Sequence, residues 1–147
     1  MAVVVDASIA VNFLLTQAYS VEAEQCLERW ESVREMLYAL GHWYAEVVSA
    51  LQFAVYQRKL NSQDAQTLVD VLPELGVQVV QPPADLLKAS LRWAERLGQN
   101  KAYDAQYVAL AEQLKAELWS ADQRLIHALK EQGIPWAHWI GEEFQEL

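Results

Sequence analysis

One cysteine, Cys26, is present in the 147 residues. No intrachain disulfide can form, and no cysteine-based zinc site either. Glycine and proline are scarce, five and four, which leaves little chain for long linkers. Positive charge is the minority sign: 11 Lys and Arg stand against 20 Asp and Glu, for a net charge of −9. A simple electrostatic nucleic-acid binder would be basic. An acidic site attracts nucleic acid only when bound cations invert its local charge. No uninterrupted apolar stretch is long enough to span a membrane. The apolar N-terminus is broken by Asp6 and Asn12, and no basic residue precedes Arg29, so the start lacks the positive region of a signal peptide. These absences predict a cytoplasmic protein with no membrane contact. The three histidines, His42, His127 and His138, share no ligand-like spacing and read as packed or surface residues.

What is present describes a globular chain. Hydrophobic residues make up 53% and charged residues 21%, the balance of a folded protein rather than a disordered one. The length suits one domain over residues 1–147 with a core of its own. Six tryptophans are many for this length, and some are expected to serve an interface.

Along the chain, short β-branched runs alternate with helical periodicity. Val3-Val4-Val5 reads as a buried strand ending at Asp6. Ser8 to Leu15 reads as a helix. Cys26, Trp30, Val33 and Leu37 recur at i, i+4, i+7 and i+11, which predicts an amphipathic helix from Glu22 to Leu37. Trp43, Val47, Ala50, Leu51 and Ala54 predict a second, from His42 to Arg58. Ser62 is the expected N-cap of a third, running to about Leu72. Val77 to Val80 reads as a strand closed by Pro82-Pro83. Helices follow from Ala84 to Leu97, with Gly98 just past the end, and from Tyr103 to Leu114. Leu118 to Ser120 reads as a strand, Asp122 to Gln132 as a helix, and Trp136 to Ile140 as a last strand. The tail with Glu142, Glu143 and Glu146 reads as solvated. Such alternation predicts an α/β fold, a mostly parallel central sheet flanked by helices on both sides.

Four acids fall where water is not the natural partner. Asp6 directly follows the first strand, and ligands of open parallel sheets bind beyond the carboxyl ends of strands. Asp122 follows another strand by two residues. It shares a helical stripe with Leu125, Ile126 and Leu129, as Asp104 does with Tyr107, Val108 and Ala111. Both carboxylates are therefore expected at helix starts, turned inward. Glu46 lies between Trp43 and Ala50 on the expected buried side of its helix, beside Ser49. Each acid has a structural reading of its own: Asp6, Asp104 and Asp122 suit helix N-termini, and Glu46 suits a solvated helix face. Taken together they predict carboxylates gathered without an adjacent Lys or Arg, which is costly unless a hard cation compensates. Mg²⁺ or Mn²⁺ prefers oxygen ligands and suits phosphodiester hydrolysis.

At these residues the sequence resembles the PIN-domain family, specifically the VapC toxins of toxin–antitoxin pairs. Val3-Val-Val-Asp6-Ala-Ser8 looks like the family's first strand and Asp-x-Ser turn. Trp43-Tyr-Ala-Glu46-Val-Val looks like the helix bearing the second acid. Ala102-Tyr-Asp104-Ala-Gln-Tyr107 is similar to the family's most telling run, and Leu118-Trp-Ser120-Ala-Asp122 to its closing motif. The four blocks stand in family order. The resemblance implies an α/β/α sandwich and a Mg²⁺- or Mn²⁺-dependent endoribonuclease. It also implies a homodimer and inhibition by a small cognate antitoxin. Carried over, Asp6, Glu46, Asp104 and Asp122 are the metal-binding and catalytic acids. Ser120 is the catalytic-site hydroxyl that positions a metal-bound water or an acid, and Ser8 supports Asp6. The chain departs from the pattern at Gly41-His42, where prolines are common, and at Lys101, where a small hydroxyl residue is common. Lys101 is either a phosphate contact or a solvated loop residue.

Two other classes fit parts of the sequence. One is a catalytically silent PIN-fold module that binds nucleic acid or protein, suggested by the acidic surface and the tryptophans. The other is a phosphotransferase with Asp6 as aspartyl nucleophile, although Ser8 stands where such enzymes commonly place a second Asp. The 22–37 helix with Trp30 is the expected edge of an antitoxin groove, Trp30 being alternatively a core residue. A basic or amphipathic antitoxin segment would place Arg near the carboxylates and displace metal.

Overall fold

The computed structural model describes residues 1–141; the tail acids Glu142, Glu143 and Glu146 lie outside the described residues. Five parallel strands form one sheet: β1 (Ala2–Val5), β2 (Met36–Leu40), β3 (Val77–Val80), β4 (Glu117–Ser120) and β5 (Ala137–Trp139). Their order is β3-β2-β1-β4-β5. The chain moves outward from β1 to β3, then returns to the other side of β1 and continues to β5. The order therefore reverses between β1 and β4, where two neighbouring strands lead into connections on opposite sides. Ligand crevices open at such points in parallel sheets.

Seven helices fill the connections among the described residues: α1 (Ala7–Leu14), α2 (Ser20–Ser32), α3 (His42–Tyr56), α4 (Ser62–Val69), α5 (Ala84–Arg96), α6 (Tyr103–Leu114) and α7 (Gln123–Glu131). A short 3-10 turn, Leu72–Leu75, precedes β3. No helix among the described residues is long and apolar enough to cross a membrane.

Side-chain alternation along the strands builds two cores. Val4 and Leu118 face the larger, with Trp43, Val47 and Leu51 of α3, Leu86 and Trp93 of α5, the apolar side of α6, and Leu125, Ile126 and Leu129 of α7. Val3, Val5, Leu37 and Trp119 face the smaller, with Ile9 and with Ala23, Cys26 and Trp30 of α2. Both faces of the sheet are thus covered, as an all-parallel sheet requires. The architecture is the expected α/β sandwich, with the sheet parallel throughout.

The largest departure from the sequence reading is at residues 33–40. The expected helix from Glu22 to Leu37 ends at Ser32. Arg34 adopts a left-handed φ of 58°, and Glu35 N–H donates to the Trp30 carbonyl at 2.9 Å. That turn stops the helix and feeds Met36–Leu40 into the sheet between β1 and β3. Val33, which completed the apparent helical stripe, is 57% exposed, while Leu37 is buried from a strand. A four- or five-residue apolar run continuing a helical spacing does not by itself say which element it belongs to. A smaller correction is the cap of α4: Asn61, not Ser62, accepts from Asp64 N–H at 2.7 Å. The tryptophans are chiefly core: Trp30, Trp43, Trp93 and Trp119 are all buried. Trp30 packs edge-on against Trp119 at 5.8 Å, so it is a core residue and not the rim of a groove.

Candidate metal centre

Val5 is the last residue of β1, and Asp6 follows as the N-cap of α1. Its carboxylate is buried, at 6% exposure. Oδ1 accepts from Ser8 N–H at 3.1 Å and from the Ser8 hydroxyl. Oδ2 accepts from the Ser120 hydroxyl, which reaches across from the end of β4. Ser120 Oγ in turn accepts from Asp122 N–H at 2.9 Å, and Ser8 Oγ from Ala121 N–H at 2.8 Å. The two hydroxyls lie 3.3 Å apart. Two serines thus lace the ends of β1 and β4 together around one carboxylate, at the point where the strand order reverses.

Asp104 lies in the first turn of α6, half-buried. Glu46 lies on α3, half-buried at the flank of the stripe formed by Trp43, Val47 and Leu51; its neighbour Ser49 is exposed. The Tyr107 hydroxyl, from a fully buried ring, donates to Glu46 Oε1 at 2.9 Å. Asp122 is the N-cap of α7, accepting from Arg124 N–H at 3.0 Å and Leu125 N–H at 3.3 Å. It is exposed rather than turned inward. Its capping role sets that orientation, because Oδ1 must face the backbone of its own first turn.

The acids feel one another. Burial pushes the Asp6 carboxyl up to about 7 from an ordinary 3.8; the Ser120 and Ser8 hydrogen bonds offset part of that, and the charges of Asp104 and Glu46 add to it. Asp104 is raised by burial, then by Asp122 and Glu46. Glu46 is raised by burial, against the pull of Tyr107. No Lys or Arg is ion-paired with any of the four among the described residues. One buried and two half-buried carboxylates, with the exposed Asp122 beside them and no Lys or Arg paired to them, suit a hard divalent cation in their donor chemistry. Among the described residues no three such side chains already stand in positions to hold one ion. The four acids thus fit in chemistry and neighbourhood. Closing them on an ion requires side-chain movement, or waters between, as Mg²⁺ commonly keeps.

Two residues at the site carry no obvious motif. His42 Nε2 lies 3.1 Å from the Tyr103 carbonyl oxygen and 3.6 Å from Glu46 Oε1. Its ring packs against Tyr107 at 4.7 Å. Burial holds His42 below its ordinary value, with the Tyr103 carbonyl and Asp104 pulling the other way. The signals were the i, i+4 spacing of His42 to Glu46 and the i, i+3 spacing of Asp104 to Tyr107. Lys101 is exposed and lines a groove that opens beside Glu46 and Asp104.

The family model described as PIN domain matches residues 3–131. No curated protein matches the chain in sequence. Several solved structures share the fold. PAE2754 from Pyrobaculum aerophilum superposes with a TM-score of 0.65 at 21% identity, over 99% of this chain and 94% of that one. VapBC2 from Rickettsia felis, bound to a DNA fragment from its promoter, gives 0.64 at 14% identity, over 93% and 96%. VapC20 of Mycobacterium tuberculosis, a toxin that cleaves the sarcin–ricin loop, gives 0.58 at 17% identity, over 81% and 87%.

Proposed function

The chain belongs to the PIN-domain family, and from that premise we propose that it is a Mg²⁺- or Mn²⁺-dependent endoribonuclease, the toxin of a VapBC-type pair. What supports this reading is that Asp6 feels the charges of Asp104 and Glu46, and Asp104 those of Asp122 and Glu46, with no Lys or Arg ion-paired to any of the four among the described residues. Similarity in fold to toxins and toxin–antitoxin complexes supports it.

In this reading the four acids hold the cation. When bound, it supplies charge to the scissile phosphate and makes water a nucleophile at neutral pH. Everything else falls to the chain. Ser8 and Ser120 hold Asp6 in one orientation and favour its charged form. Tyr107 holds Glu46. His42, kept neutral, spends its Nε2–H on the Tyr103 carbonyl and so fixes the start of α6, which carries Asp104. A cognate antitoxin, a homodimer and a cytoplasmic location complete the proposal.

The silent-module reading draws on the hydrogen bonds that already occupy both oxygens of Asp6. The same bonds count against a phosphotransferase, because a nucleophilic carboxylate needs a free, accessible oxygen and Asp6 is 6% exposed. Incubating total RNA with the protein, with Mn²⁺ or with chelator, and mapping the cut ends tests the ribonuclease. Metal-dependent cuts that vanish in Asp6→Asn and Asp104→Asn are expected. Equal cleavage by either folded variant would defeat the assignment.

A further inference from the structure

The face of α3 that carries Glu46 runs on well past it. At helical spacing, the stripe through His42, Glu46 and Ser49 continues to Phe53, four residues beyond Ser49, and to Tyr56, seven beyond Ser49. Tyr56 stands about 15 Å along the helix axis from Glu46. Both rings are open to solvent: Phe53 is 58% exposed and Tyr56 79%. One exposed aromatic residue is ordinary. Two on one stripe make an apolar patch of the kind that marks a contact surface.

Charge changes sign over the same stretch. The chain carries 20 acids, yet none stands between Glu46 and Asp64. The only charged side chains in that interval are Arg58 and Lys59, in the turn between α3 and α4. Both are exposed, and neither has an ion pair among the described residues. The turn is closed back onto its helix. Arg58, left-handed at a φ of 60°, donates its N–H to the Val55 carbonyl, and Lys59 donates its own to the Ala54 carbonyl, both at 2.9 Å. That closure fixes the backbone of the two cations at the end of the aromatic stripe. They border a hollow of about 510 Å³. Asp64 borders it too, but its Oδ2 already accepts from the Asn61 amide at 3.0 Å.

Exposed rings followed by cations are the two parts of a track for single-stranded nucleic acid: stacking surfaces for bases and positive charge for phosphates. A protein contact would account for the rings alone. A polyanion leading away from the cleavage acids accounts for the rings, the cations and their common stripe together.

We propose that the C-terminal half of α3 and its closing turn form an anchoring site for single-stranded RNA, remote from the cleavage centre: Phe53 and Tyr56 stack bases, and Arg58 and Lys59 meet the phosphates beyond them. Such a site makes recognition depend on RNA length, because only a strand that reaches from the acids to the turn can use it. The proposal rests on the ribonuclease reading for what lies at the other end of the strand.

The test uses two fluorescent single-stranded RNA oligomers, about 16 and about 4 nucleotides long. Binding of the longer one is measured with Ca²⁺ in place of the catalytic metal, and cleavage of both is measured with Mn²⁺. Tyr56→Ala and Phe53→Ala are each expected to weaken binding of the longer oligomer about tenfold, with Tyr56→Phe restoring it. The same variants should raise KM for the longer oligomer, leave its kcat unchanged, and cut the shorter one as wild type does. Arg58→Gln combined with Lys59→Gln is expected to weaken binding alike for every sequence and to flatten its salt dependence. Unchanged binding of the longer oligomer by a folded Phe53→Ala, Tyr56→Ala double variant would overturn the site while leaving the nuclease standing. Loss of self-association in that variant with RNA binding intact would also overturn it, assigning the face to a protein contact. RNA binding that depends on Tyr56, in a wild type that cuts no RNA, would support the site and refute the nuclease.

Discussion

Ser120 donates its hydroxyl proton to Oδ2 of Asp6 across a sequence separation of 114 residues. The hydroxyl oxygen of Ser120 in turn accepts from Asp122 N–H, so one hydroxyl links a buried carboxylate to the backbone of an exposed one. Because this bond holds the Asp6 carboxyl below where burial alone would put it, Ser120 sets how readily that acid is charged near neutral pH. Ser120→Ala should therefore raise the Asp6 carboxyl further and weaken Mn²⁺ binding at pH 7, since more of the carboxyl would have to lose its proton to bind. Ser120→Thr, which keeps the hydroxyl, should restore it. Calorimetric titration with Mn²⁺ measures both.

The price of the site is stability, and its pH dependence has a definite sign. Asp6 titrates at about 7 in the fold against an ordinary 3.8. The folded state therefore holds a proton that the unfolded state has released, and stability falls as pH rises between those values. Glu46 and Asp104, also raised, act in the same direction. In chelator, the melting temperature should climb as pH drops from 7.5 toward 5. Asp6→Asn should melt higher than wild type at pH 7.5, and the gap should shrink below pH 5. Thermal melts across this range check it.

Asp122 has two separable duties. As N-cap of α7 it closes two backbone N–H groups, worth about 1 kcal/mol. As a charge it acts on Asp104. Asn caps as well as Asp, so Asp122→Asn should keep the denaturation midpoint and lose most metal-dependent cleavage. Asp122→Ala should lose about 1 kcal/mol of stability as well. Denaturant melts and the cleavage assay, run on both variants, separate cap from charge.

Tyr107→Phe removes the only hydroxyl donating to Glu46 Oε1 among the described residues. The ring, fully buried, should keep its packing, so the fold should lose about 1 kcal/mol at most. With its orienting bond gone and its pKa raised further, Glu46 should bind metal several-fold more weakly, read in the same titration.

The sheet was largely legible because its strands are short apolar runs bounded by turn residues: β1, β3 and β4 fall where Val3–Val5, Val77–Val80 and Leu118–Ser120 predict. β2 was hidden because Leu37 sits at a helical interval from Trp30, and only the left-handed turn at Arg34 separates them. The four acids could be picked out because carboxylates after strands or on apolar stripes are out of place locally. Which of them feel one another's charge was not, since it depends on which strands are neighbours. The inward direction expected for Asp122 failed because capping its own helix outweighs sharing a stripe with Leu125. Tyr107 and His42 were overlooked for the converse reason: each is ordinary in its own element, and its role arises from partners contributed by another.

Mn²⁺ titration of the metal-free protein at pH 7.5, followed by calorimetry for wild type and Asp104→Asn, bears most directly on the idea that these carboxylates coexist by sharing a cation. Saturable binding by the wild type is predicted, with loss in the variant and no drop in the variant's metal-free melting temperature. No binding by folded wild type, or equal binding by the variant, would contradict it.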